Sequence, residues 1–225
     1  MLLKIFSLNL KEYEQREERL PKIIAEIKSY EPDIIVVQEV VFDKEKSPLS
    51  TLEQINEQLK YPHAVFCPCF DYSLDYGKGV FQPNSVLGGL GVLSQLPFSF
   101  EEQNLPIATW VDRRPRKALL CDFGEFTLAN IHLSNKWCET RELQRKELKK
   151  SDIIVWDFNT LPDELAPRLV DEKYTSSYDH THYISYPSNE MTLDYCLTKK
   201  WKFKKIDCLN KDLSDHVAMC YDIEL

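Results

Sequence analysis

From Leu20 onward, apolar residues fall at Leu20, Ile23, Ile24 and Ile27. This i, i+3, i+4, i+7 spacing puts one stripe on a helix. Pro32 closes the connection behind that predicted helix. Ile34-Ile35-Val36-Val37 then runs apolar without a break, as in a strand covered on both faces. Further helices are predicted over Leu49–Leu59 and Glu139–Lys149. Between them, over about 64–132, short β-type runs alternate with Gly and Pro punctuation. Met1–Ser7 reads as the first strand, and later strands are predicted at Ile153–Trp156 and near Leu193–Leu197, Phe203–Ile206 and Val217–Tyr221. Strands and helices mixed in this way bury their apolar faces by packing two sheets together with helices outside. No repeat, low-complexity tract or Pro/Gly-rich linker divides the chain, so 1–225 is expected to form a single domain. At 225 residues it can bury a substantial core.

The chemistry collects where apolar runs stop. Ile5-Phe6 leads through Ser7-Leu8 into Asn9, and Ile34–Val37 leads into Gln38-Glu39. The run Phe126–Ile131 delivers Asn130 and His132, and Ile153–Trp156 leads into Asp157-Phe158-Asn159. Ser214-Asp215-His216 stands immediately before Val217-Ala218-Met219. Five predicted strand ends therefore carry a carboxylate, carboxamide or imidazole beside a buried run. Strand ends that open on one edge are where sheet-based folds with helices usually place a site. Carboxylates and carboxamides are hard oxygen donors, suited to magnesium or manganese rather than zinc. Histidines beside them can transfer protons or bind a phosphate oxygen.

Charge narrows the partners. A net charge of -8 argues against a long electrostatic grip on a nucleic-acid backbone, though not against contact with one or two phosphates. Two basic clusters stand out, Arg113-Arg114-Pro115-Arg116-Lys117 and Lys199-Lys200-Trp201-Lys202 with Lys204-Lys205. Their plain reading is solvated loop and strand-edge charge. Seven scattered cysteines, odd in number, point to free thiols in a reducing compartment, hence the cytoplasm. No apolar run approaches the roughly 20 residues that span a bilayer. The first residues show no basic leader and no signal-peptide core.

The order of these residues resembles the motif series of the endonuclease/exonuclease/phosphatase superfamily. The series comprises Asn9 in Ser-Leu-Asn, Gln38-Glu39-Val40, His132-Leu133, Asp157-Phe158-Asn159, Leu193-Asp194-Tyr195 and Ser214-Asp215-His216. Gly91-Val92-Leu93-Ser94 followed by Pro97, and Arg141 with Gln144, are similar to further family motifs. The resemblance implies an α+β fold, a four-layer αββα sandwich of two mixed β-sheets packed face to face with helices outside. It also implies roles. Glu39 would hold a Mg2+ or Mn2+ ion, assisted by Asn9 and Asp215, and Asp157 would orient or activate the attacking water. Asn159 would contact the scissile phosphate, and His132 would donate to a phosphate oxygen. His216, steered by Asp194, would complete the acid-base apparatus with Asp215.

Two positions depart from the family pattern. Trp156 stands where a Gly usually precedes the Asp-x-Asn motif, which bears on the backbone geometry at Asp157. His132 stands where the abasic-site endonucleases usually carry Tyr, so the chain looks more like the deoxyribonuclease, deadenylase, sphingomyelinase and tyrosyl-DNA phosphodiesterase branches. The expected activity is metal-dependent hydrolysis of a phosphoester by a monomer, acting on nucleic-acid ends, single strands or phosphate adducts. The alternatives are a phospholipid or inositol-phosphate hydrolase, for which Val80-Phe81 is the candidate apolar loop, and an inactive phosphate-binding relative, for which Trp156 is the support.

Other motifs have plainer readings. Asp179-His180-Thr181-His182 fits surface better than zinc, and Cys67-Pro68-Cys69 lacks zinc-knuckle spacing. Gly77-Lys78-Gly79 and Gly88-Gly89-x-Gly91 lack phosphate-loop context and read as a loop and a strand entry. Trp110 and Trp137 read as packing, with stacking at a cleft rim as the alternative.

Overall fold

The structure, a computed structural model, describes residues 1–225 except 13, 15, 73–85, 108–113, 136–137, 166–173 and 210–211. It does not describe the side chains of 16, 138, 156, 164 and 165. The helix predicted from the Leu20–Ile27 stripe is α1 (Arg16–Tyr30), with Ile23 and Ile27 fully buried. It joins β1 (Leu2–Asn9) to β2 (Ile34–Asp43), and the two strands pair in parallel, which requires a crossover connection such as this helix. The next helix, α2 (Thr51–Leu59), starts two residues later than its apolar pattern alone indicates. Ser50 and Glu53 form a reciprocal capping box that sets its N-terminus.

Strands β3 (His63–Asp71) and β4 (Val86–Ser94) extend the first sheet, which is completed by β11 (Lys202–Leu209) and β12 (Ala218–Glu224). Its order is β11-β12-β1-β2-β4-β3. Gly88-Gly89-x-Gly91 lies inside β4 rather than at its entry. A Cβ on Gly89 would come within 2.0 Å of the Cys67 carbonyl oxygen, so only glycine admits this close strand approach. The second sheet contains β5 (Ser99–Leu105), β6 (Arg116–Asp122), β7 (Thr127–His132), β8 (Ile153–Asp157), β9 (Thr175–Ser176) and β10 (Asp194–Thr198). Its order is β5-β6-β7-β8-β10-β9, again with one parallel pair, β7 with β8, near its middle.

Side-chain parity explains the layers. Leu3 and Ile5, Ile34 and Val36, Leu128, Ile153 and Val155, and Met219 and Tyr221 meet between the sheets in one apolar core. The alternate residues Phe6, Leu8, Ile35 and Val37 face outward against α1 and α2. On the second sheet Ala129, Ile131, Ile154, Tyr195 and Leu197 face outward, with Leu148 just beyond α3 (Cys138–Glu147) packed against them. Two short helices, α4 (Pro162–Leu165) and α5 (Ser177–His180), follow in the segment that the pattern leaves irregular. The arrangement is the expected four-layer sandwich of two mixed sheets. Among the described residues no helix is long and apolar enough to cross a membrane.

Candidate active site

The parity that builds the core also aims the polar strand ends. Asn9 continues the inward series Leu3, Ile5, Ser7, and Gln38 continues Ile34, Val36. His132, Asp157 and Asp194 likewise continue the inward faces of β7, β8 and β10. Register brings them level: His132 and Asp194 both pair with Asp157, and Asn9 pairs with Gln38. Because β10 and β12 run antiparallel to their neighbours, their first residues lie beside the last residues of β8 and β1.

Glu39 is the exception that parity alone misplaces. It shares the parity of Ile35 and Val37 and would point towards the helices. The register of β2 against β4 slips between Val37 and Val40, and Glu39 takes a left-handed φ of 55°. This bulge re-aims its side chain at His132, with Oε1 4.0 Å from Nδ1. A left-handed backbone costs a residue with a side chain of order 1–3 kcal/mol, and such strain gathers at functional sites.

Asp157 is the hub. Its Oδ2 accepts from Asn9 Nδ2 at 3.0 Å and lies 3.6 Å from His132 Nε2 and 3.5 Å from His216 Nε2. Its Oδ1 accepts the Asn159 backbone N–H at 3.0 Å. On the far side of the imidazole, His216 Nδ1 meets Asp194 Oδ2 at 2.7 Å. Asp194, His216 and Asp157 therefore form a carboxylate–imidazole–carboxylate chain that joins the two sheets. Asp215 stands beside it, accepting from Ser214 Oγ at 3.0 Å and facing Lys11 Nζ at 3.9 Å. Asn159 also takes a left-handed φ of 51°, and its amide nitrogen donates to the Leu133 carbonyl. The strand pairing runs unbroken through Trp156, so the Gly-to-Trp departure leaves the register of Asp157 intact.

The two histidines are held in opposite states. Burial, helped by the nearby charges of Arg116, His216 and Arg114, pushes the His132 pKa well down and keeps it neutral. Burial also opposes a charged His216, but Asp194 and Asp157 prevail and raise its pKa, so it is the cation. Asp157 is raised as well, chiefly by burial. Glu39 is pushed up to about 7 by burial, then by the negative charges of Glu12 and Asp157. The site can thus donate protons from two imidazoles towards an oxyanion while its carboxylates crowd one another.

Several supporting residues carry no sequence signal of their own. Arg19, buried in α1, donates to the carbonyls of Leu10, Lys11 and Glu14 and to that of Leu213. It therefore pins the loop after Asn9 to the loop before His216. Ser185 Oγ accepts the N–H groups of Leu193 and Asp194, and its carbonyl accepts that of Val217. The Tyr186 ring lies against His216, with centroids 4.9 Å apart. Gln144 accepts the Ser134 N–H and Arg141 donates to the Ser134 carbonyl, so this matched pair braces the turn after His132.

The plain reading of the first basic cluster needs correction. Arg116 is buried and Arg114 half-buried, and both act on His132. The burial of Arg116 at the start of β6 was not visible in its local charge. The second cluster is surface, with Lys200, Lys204 and Lys205 paired to Asp152, Glu224 and Asp207. His180, Thr181 and His182 are exposed. Among the described residues the one tight group of three potential metal ligands is Asp157, Asp194 and His216. Cys67, Cys69, Cys121, Cys196, Cys208 and Cys220 are free thiols. Gly77-Lys78-Gly79, Val80-Phe81, Trp110, Arg113 and Trp137 lie outside the described residues.

This fold and this arrangement of strand ends place the chain in a known class. It belongs to the endonuclease/exonuclease/phosphatase family, whose model matches residues 8–216. Among solved structures, it is similar to the human nocturnin catalytic domain with bound sulfate anion at 22% identity. That match has a TM-score of 0.70 and covers 99% of this chain and 93% of that one. A humanized D. rerio TDP2 matches at 12% identity and TM-score 0.69, over 100% of this chain and 99% of that one. A mannosyl-6-phosphatase of Bacteroides thetaiotaomicron VPI-5482 matches at 16% identity and TM-score 0.68, over 99% and 100%. No curated protein matches the chain in the sequence comparison.

Proposed function

We propose that this chain is a metal-dependent phosphoester hydrolase acting on nucleic-acid ends, single strands or phosphate adducts. The observation that supports it most is the convergence of Asn9, Glu39, His132, Asp157, Asp194 and His216 from six segments of both sheets. A divalent cation fits the donor set. Glu39 is destabilised as a carboxylate by burial and by Glu12 and Asp157, an excess of negative charge that a cation would relieve. Glu39, with Asn9 hydrogen-bonded to it and Asp215 next to His216, would hold magnesium or manganese through hard oxygen atoms. When bound, the ion neutralises charge that develops on the phosphoryl group.

The chain's own residues do the rest. Asp157 orients or activates the attacking water, with Asn9 and the Asn159 N–H fixing its carboxylate. Asp194 fixes the ring of His216 and stabilises its cation, which supplies a proton. Neutral His132 donates to a phosphate oxygen as negative charge grows. Asn159, one of whose amide hydrogens is left after bonding Leu133, contacts the scissile phosphate. The free thiols fit a reducing compartment, the cytoplasm.

Metal affinity is expected to depend on pH. Glu39 must lose its proton to act as a ligand, and that proton leaves at about 7 in the metal-free protein. Apparent magnesium affinity should therefore fall about tenfold per pH unit below neutrality and level off above it. Calorimetric titration in buffers of different ionisation enthalpy counts the proton released. A flat profile would remove Glu39 from the ligand set.

The substrate class is tested by salt. A net charge of -8, with Arg116 buried, leaves few cations to follow a duplex. Binding to a single-stranded oligonucleotide should show a slope of log affinity against log salt of about 2–3. A slope near that of 6–10 phosphate contacts would refute end or adduct recognition. Absence of oligonucleotide binding, together with turnover of an inositol phosphate or sphingomyelin, would assign the substrate to that class instead.

A further inference from the structure

Arg114 and Glu12 reach towards each other across the gap between the sheets. Glu12 lies in the loop after β1, in the first sheet, and Arg114 precedes β6, in the second. Arg114 Nη1 is 3.5 Å from Glu12 Oε1, and both side chains are about one-third exposed, 30% and 33%. An ion pair that open to water holds weakly and is easily displaced. The guanidinium, however, is well fixed. Its carbon sits 4.6 Å from the centre of the Phe70 ring and 5.6 Å from that of Tyr72. Those two rings are themselves locked edge to face at 4.8 Å. A stacked arginine is pre-organised to receive a planar or tetrahedral anion through paired N–H groups.

Glu12 is placed where electrostatics alone would not put it. It is the foremost charge acting against Glu39, so a carboxylate points at a site already rich in carboxylates. Lys11 and Glu12 both take left-handed backbone, with φ of 51° and 48°, to hold it there. Beside it, burial and a hydrogen bond to Glu12 keep the Tyr72 hydroxyl protonated, so it can donate to an anion held in this place. A solvent-open carboxylate, a fixed guanidinium and a hydroxyl donor therefore meet at the edge of the site.

We propose that Arg114, on its Phe70–Tyr72 platform, docks a second anionic group of the substrate, a phosphate beyond the scissile one. Glu12 occupies that place until the substrate displaces it. This deepens the phosphoester reading above and rests on it. The substrate class is then a phosphoester that carries a further phosphate within reach of Arg114, and Arg114 sets specificity without touching the bond that breaks.

The test compares adenosine 5′-monophosphate with adenosine 3′,5′-bisphosphate, titrated calorimetrically into the full chain with magnesium in excess. Wild type should bind the bisphosphate about tenfold tighter, the scale of one added charge-assisted contact. Arg114→Gln should erase that preference and leave the monophosphate affinity within about twofold. Glu12→Gln should tighten the bisphosphate several-fold more than it tightens the monophosphate. Equal affinities in wild type, or an Arg114→Gln protein that weakens both ligands alike, would overturn the docking role. Turnover of bis(p-nitrophenyl) phosphate, which lacks a second phosphate, separates the two claims. If wild type turns it over yet binds neither nucleotide, the docking role fails and the hydrolase reading stands. If it turns over neither this ester nor any oligonucleotide, the hydrolase reading fails too.

Discussion

Glu39→Gln is expected to lower turnover in magnesium by at least about 10²–10³, the scale of losing one preorganised electrostatic contact with the transition state. The substitution keeps the shape of the side chain and removes only its charge. It also removes the repulsion with Glu12 and Asp157, so the variant should be no less stable than wild type. Loss of activity with an unchanged or raised unfolding midpoint is the diagnostic combination. Chelation of wild type should abolish activity, and magnesium or manganese should restore it. Undiminished turnover by Glu39→Gln would mean that the strained bulge in β2 serves some other purpose.

The second large effect concerns the chain of Asp194, His216 and Asp157. His216→Ala and Asp157→Asn should each nearly eliminate turnover, and the double variant should be little worse than either single one. Residues linked by direct contacts and acting on one step lose their function together, so their costs do not add. His216→Ala leaves Asp194 and Asp157 buried without the cation between them, so folding is checked by circular dichroism before rates are compared. Multiplicative losses, or an active His216→Ala protein, would place proton transfer elsewhere, with His132 the nearest candidate at 3.6 Å from Asp157.

Much of the site was legible in the sequence because its residues follow a local rule. A strand buried on both faces is an apolar run, and where it reaches the rim its next inward residue can be polar. Asn9, His132 and Asp157 are all such residues, and each stands at the end of a run visible without any structure. His216 could be picked out for the mirror-image reason, since it stands just ahead of the run that starts β12. The helix at Leu20–Ile27 and the strand at Ile34–Val37 were visible for the same cause, a period set by the local backbone.

Arg114 and Arg116 show what local patterning misses. Five residues with four positive charges look solvated in any window, and only packing against the neighbouring elements buries Arg116 and sets Arg114 over the Phe70 ring, where both charges act on His132. Arg19 and Ser185 are missed for a related reason. Each acts through backbone groups of distant segments, and a carbonyl or an N–H carries no residue identity to read.

The sequence by itself determined the main helices and the strands that carry the site, and which polar residues stand at their ends, because both depend on neighbours a few positions away. Tertiary structure decided everything that depends on contact between the sheets. It chose the strand order that brings β8 and β10 beside one another, so that Asp194 can reach His216. It introduced the bulge that re-aims Glu39, which shows only as a slip in the pairing of β2 with β4. It also set the charges, leaving His132 neutral and His216 cationic, although free imidazoles titrate alike. Burial and neighbouring charges make that difference, and both are properties of the folded packing.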